Sequence, residues 1–209
     1  ANLSGANLSG ANLKDANLKN SKLYGADLTG TSLENVDLSG ADLKGANFSG
    51  AYMTKVILEN IDLSGVNFNG VHMAGQKLVG VNLSEVNFQN AILKDVDFEE
   101  SNLSNANLDS AYLNSANLKN ANLSNASIKN TDLGAANLEN ANLKNAKIQD
   151  SYFKNTKLSG IKMDKTVSDS CFKQDLFNKI ICKINFELNP ASPPYETNYE
   201  LRDNYSLRN

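Results

Sequence analysis

The sequence predicts an all-β solenoid that turns a corner every five residues around an apolar axis, and three observations carry that reading. Every fifth residue from Leu3 to Met163, 33 consecutive positions, is Leu, Ile, Met or Phe, with no insertion to shift the phase. The residue two before each of these is Ala, Val, Ile, Ser or Thr in every repeat except the one carrying Gln76. A period of five fits neither the roughly 3.6 of an amphipathic helix, nor the roughly 2.0 of a strand, nor the roughly 3.5 of a coiled coil. Short extended sides joined by corners, each aiming one large apolar residue at the axis, satisfy the pattern.

Each position of the repeat has its own requirement. The large residue and the small residue two before it face inward. The residue between them is Asn or Asp in 20 of 33 repeats, as at Asn2, Asp27, Asp42 and Asn107, and the two that follow the large residue are mostly Ser, Lys, Gly, Asn and acids. These three are read as outward-facing. The last of them makes the corner: twelve are Gly, from Gly5 to Gly160, and many others are Asn, residues that tolerate positive φ in turns.

Tandem A-[DN]-L-x-x over residues 1–165 resembles the pentapeptide-repeat family. The resemblance implies a right-handed quadrilateral β-helix with four pentapeptides per coil, hence about eight coils and a rod about 38 Å tall at a spacing of about 4.8 Å. On a twenty-residue coil, Phe48, Phe68 and Phe88 fall in one column and Met53 and Met73 in the next. Val and Ile at the small inner position cluster between Val36 and Val96, so the middle of the rod is expected to be its best packed part.

An array stabilised by neighbour stacking needs capped ends. Residues 166–185 are expected to form a C-terminal helix: Ser168, Asp169 and Ser170 can cap it, and Phe172, Leu176, Phe177, Ile180, Ile181 and Ile184 recur at helical spacing. It would lid the last coil or pair with a copy of itself. Residues 186–209 hold all three prolines and both arginines and read as a Pro/Tyr-rich tail that could run along the rod. At the other end Ala1 already lies inside the repeat, which invites upstream coils or end-to-end association into a homodimer.

Composition narrows the function. Twenty Lys+Arg against 23 Asp+Glu, a net charge of −3, removes the basic field by which a direct nucleic-acid binder displaces counterions. No apolar run reaches the about 18 residues of a membrane span. One His and two Cys do not assemble a clustered zinc site, and no cofactor is expected. Cys171 and Cys182 would lie about 16 Å apart along a helix, too far for a bridge, so both are read as free thiols in a reducing, cytoplasmic setting. Neither a phosphate-binding loop nor a G-x-S-x-G elbow occurs, and an unbroken phase leaves no inserted loop to wall a carbohydrate-cleaving cleft with paired carboxylates. The expectation is a protein that is not an enzyme.

Two surface features stand out. Tyr52, His72, Ile92 and Tyr112, interrupted by Asp132 and resumed at Tyr152, occupy the slot that usually holds Asn or Asp, and fall in one column. Such an apolar and aromatic stripe is read as a contact surface for a protein partner, a second subunit or the chain's own tail. Asp95, Asp97, Glu99 and Glu100 form an acidic corner. Family resemblance adds the reading of a duplex-DNA mimic that binds DNA gyrase, against which residues 1–165 hold 17 acids and 15 lysines. The functional reading is a rod-shaped protein-interaction or scaffold module, with the gyrase-directed mimic as the alternative.

Overall fold

The computed structural model describes residues 1–163. Its sides are parallel bridges between residues twenty apart: Asn2 with Lys22, Asn7 with Asp27, Asn12 with Ser32, Asn17 with Asp37, and onward up the chain. Four bridges in every twenty residues make a four-sided coil, and residues 1–160 complete eight of them. The four bridge columns, begun by Asn2, Asn7, Asn12 and Asn17, define the first to fourth faces. Most sides are a single bridged residue. At two places the extended stretch reaches three residues, β1 (Ser127–Lys129) and β2 (Lys147–Gln149), which pair in parallel with Ile128 opposite Ile148.

The corners follow from backbone chemistry. At most of them, the N–H of the next small residue donates back to the C=O of the large one, as Ala6 to Leu3 at 3.0 Å and Ala11 to Leu8 at 2.9 Å. This closes a β-turn whose third residue needs positive φ, as in a type II turn. Twelve glycines and twenty other residues, 32 in all and five apart from Gly5 to Gly160, have positive φ. The corner N–H then donates to the coil above, as Gly5 to the Tyr24 C=O at 2.9 Å.

The Asn or Asp between the two inner positions faces outward, exposed or half-buried, and is also hydrogen-bonded. Its Oδ1 accepts from the N–H two residues on, as with Ser9 on Asn7 (3.0 Å), Lys19 on Asn17 (3.0 Å) and Ser39 on Asp37 (2.8 Å). That is an Asx turn, which braces the corner. An Asn amide can also donate along the rod axis. On the first face Asn82 donates to Asp62 (3.0 Å), Asn102 to Asn82 (3.2 Å), Asn122 to Asn102 (3.1 Å) and Asn142 to Asn122 (2.9 Å).

The axis is apolar as expected. Leu63, Leu83 and Leu103 are fully buried in successive layers, and so are Met53, Met73 and the Phe column. Phe48–Phe68 and Phe68–Phe88 centroids are 5.3 Å apart, and Phe98 meets Phe88 edge-on at 5.9 Å. Hydroxyls in the small inner position donate to buried carbonyls, Thr131 to Leu108 and Thr156 to Leu133, both at 2.8 Å.

The stack is interrupted once among the described residues, in the middle where the best packing was expected. As the third coil rises into the fourth, the rungs joining Ile57 to Lys77 on the fourth face and Asp42 to Asp62 on the first are missing, while Asn47–Asn67 and Tyr52–His72 hold. Gln76 is the cause on one side. Its long amide fills a slot built for Ala or Val, and its Nε2 takes the Val56 C=O that the Lys77 N–H would otherwise meet. On the other side Asp42 and Asp62, twenty residues apart, are like charges across one rung, a destabilising cross-strand pair. The C-terminal helix and the tail lie outside the described residues.

Candidate functional site

The third face carries the stripe that the sequence points to. Bridges join Tyr52 to His72, His72 to Ile92, Ile92 to Tyr112, Tyr112 to Asp132 and Asp132 to Tyr152, so these residues stand in one vertical column. Tyr52 and Tyr112 are 52% and 55% exposed, with His72 and Ile92 half-buried between them. Tyr52 and His72 stack, ring centroids 4.5 Å apart. Above, Asp132 accepts from the Gly134 N–H (2.9 Å), and the Tyr152 ring lies so close to Gly134 that a Cβ there would meet it at 3.1 Å. The stripe is therefore two stretches: a four-residue apolar run, then the Tyr152 ring laid over Gly134. Tyr24, 55% exposed in the second coil, is a further exposed aromatic, and it stands outside the column because it occupies a different slot of the repeat.

The acidic corner is largely partnered. Asp97 accepts from the Glu99 N–H (3.2 Å) and from Asn117 Nδ2 (2.9 Å); Glu99 accepts from the same Nδ2 (3.2 Å) and pairs with Lys119 at 3.9 Å. Lys94 stands 4.0 Å from Asp95. Glu100 sits exposed at its corner with a φ of 59°. Exposed pairs at such distances contribute little stability, yet they cut the local negative field. Elsewhere the Thr29 hydroxyl, with the Thr29 N–H, holds the Asp27 carboxyl below its ordinary range. Ser39 does the same for Asp37. The Glu34 carboxylate, 2.8 Å from Lys14 Nζ, raises that lysine.

A third feature was missed. The gap between the third and fourth coils is an open cleft of about 910 Å³. Ile57 and Val79, 45% and 51% exposed, stand at its lips, and Gln76 lies buried within it. The sequence signals were present: Gln76 breaks the small-residue rule, Ile57 takes an Asn/Asp slot and Val79 takes the usually polar slot before the corner.

Among the described residues, no three His, Cys, Asp or Glu side chains gather as a metal site, and no helix is long and apolar enough to cross a membrane. Residues 51–128 match the family model described as a pentapeptide repeat region, and residues 1–35, 31–70 and 121–160 match that of pentapeptide repeats. No curated protein matches the chain. Among solved structures, the chain is similar to HetL, a pentapeptide repeat protein involved in heterocyst differentiation regulation from the cyanobacterium Nostoc sp. strain PCC 7120, at 30% identity over 79% of this chain and 84% of that one, with a TM-score of 0.43. Full-length QnrB1, a plasmid-mediated fluoroquinolone resistance protein, matches at 19% identity over 80% and 93%, TM-score 0.36. Rfr23, a pentapeptide repeat protein from the cyanobacterium Cyanothece 51142, matches at 22% identity over 66% and 88%, TM-score 0.26.

Proposed function

The chain belongs to the pentapeptide-repeat family, and on that premise we propose that it is a non-enzymatic rod that holds a protein partner against the aromatic stripe of its third face. The observation that carries this reading is the run Tyr52, His72, Ile92, Tyr112, one apolar or aromatic side chain per coil at the repeat's polar slot. The bridged backbone fixes their spacing, so little conformational entropy is lost when a partner covers them, and Tyr supplies large contact area with few rotatable bonds. Four residues in line suit a strand or helix laid along the rod.

The test is the double substitution Tyr52→Asn with Tyr112→Asn, which restores the repeat's own residue type at both rungs. Proteins captured from the source organism, sedimentation and melting are compared between the two forms, and again with both forms ended at Asn185. Loss of one captured protein by the double variant supports the partner reading. Loss of a dimer in sedimentation assigns the stripe to a second copy, and a melting change seen only in the full-length chain assigns it to the tail. If capture, oligomeric state and melting all stay the same, the stripe has no such role.

The gyrase-directed mimic requires a continuous negative face. Residues 1–165 carry 17 acids and 15 lysines, and Lys94 and Lys119 stand among the acids of the one acidic corner. A supercoiling assay with no effect at micromolar protein dismisses that alternative.

A further inference from the structure

The cleft between the third and fourth coils presents a particular set of unmet hydrogen-bonding groups. In an intact stretch the N–H of the large residue and of the corner donate to the coil above, as Leu38 to Ile57 (2.9 Å) and Gly40 to Glu59 (3.0 Å). One coil higher, the counterparts Leu58 and Asn60 make no such bond, so the rungs to the Lys77 and Val79 carbonyls are left open. Gln76 is buried beside them, its Nε2 bonded to Val56 and its Oε1 without a donor. A buried acceptor left unpaired is costly, and an incoming N–H or O–H would satisfy it.

We propose that the cleft binds a short, uncharged, extended peptide rich in β-branched residues, which enters as an extra strand between the two coils. A peptide strand offers carbonyls on one edge for Leu58 and Asn60, and N–H groups on the other for Lys77, Val79 and the Gln76 Oε1. Main-chain pairing of this kind is the mode of strand addition, in which pockets for alternate side chains supply the specificity. Ile57 and Val79 at the lips provide those apolar contacts. Lys55, Glu59 and Lys77 at the rim carry both signs and nearly cancel, which suits an uncharged segment. The volume of about 910 Å³ lies within the roughly 300–1,000 Å³ range of ligand sites. This site is separate from the third-face stripe and does not rest on its function.

The experiment follows amide hydrogen exchange and chemical shifts in the labelled full chain, with acetyl-Thr-Val-Ser-Val-Thr-amide as the probe. In the free protein Leu58 and Asn60 exchange at least about tenfold faster than Leu38 and Gly40, the signature of rungs at least ~1.4 kcal/mol easier to open. The probe slows both amides and shifts Lys77 and Val79, and the same peptide N-methylated at both valines does neither. Gln76→Ala restores the small inner residue, protects Leu58 without peptide and weakens probe binding more than tenfold. Val79→Ser weakens it with free-state exchange unchanged, which keeps the test decisive if Gln76→Ala does not fold. Slow exchange at Leu58 and Asn60 in the free protein, equal binding of the N-methylated probe, no response to the probe, or protection that grows with protein concentration through a second copy would each overturn the proposal.

Discussion

Ala135 holds a left-handed backbone (φ 57°) at a corner where most repeats have Gly or Asn. An L-residue with a Cβ loses roughly 1 kcal/mol in that conformation, and Ala has no polar group to offset it. Ala135→Gly is expected to raise stability by up to about 1 kcal/mol in urea unfolding, although the added chain entropy of Gly in the unfolded state trims the gain. Asp27 and Asp37 set a pH dependence. Both carboxyls are held below their ordinary range, by Thr29 and Ser39 respectively, so each favours the folded state above the usual carboxylate pKa of about 4. That contribution fades as pH falls through the lowered folded values. Asp27→Asn keeps the Asx acceptor and removes the titration, so its melting temperature should fall less steeply than the parent's in this acid range. The phase of the repeat already marks Ala135 as a corner, whereas the lowered carboxyls of Asp27 and Asp37 depend on hydroxyl placement that only the folded turn supplies.

The Asn ladder of the first face shows how a five-residue unit becomes cooperative. Asn102 accepts from the Ser104 N–H, donates to Asn82 and accepts from Asn122. Asn12 makes only the local turn to Lys14. Asn102→Ala should therefore cost about 1–3 kcal/mol, and Asn12→Ala about 1 kcal/mol or less, measured by denaturant midpoints at constant m-value. The Asx turns were within reach of the sequence, since Asn and Asp recur two residues before a turn N–H. The ladder was not, because it links residues twenty apart and depends on a register that only the coil supplies. For the same reason the Leu register and the Phe column were legible, as burial needs only the period. The acidic corner looked bare in the sequence because Lys119, which faces Glu99, belongs to the next coil.

Across the full rod, each coil touches only its neighbours, so stability is a sum of coil and interface terms. The missing rungs beside Gln76 weaken one interface, and the first three coils should open as a unit distinct from those above. Native-state exchange at moderate denaturant is expected to group the amides of residues 1–60 below those of residues 81–160, and Gln76→Ala to merge the two groups. The coil number could be counted from the sequence, and the position of the break was marked there by the single misfit in the small-residue register. Its consequence was not legible, because a period with no insertion says nothing about whether adjacent coils close. The helix over 166–185 and the tail stay expectations from periodicity and composition.

The fixed twenty-residue register also governs which changes of length this protein can absorb. Removing twenty residues shortens the rod by a storey and leaves every column aligned. Removing five keeps the core filled, yet it swings everything downstream by a quarter turn: excision of one repeat between Ile92 and Tyr112 would carry Tyr112 and Tyr152 round to the second face. Fold and recognition thus answer to different arithmetic, and lineages that gain or lose single repeats can re-aim their contact surface with the interior intact.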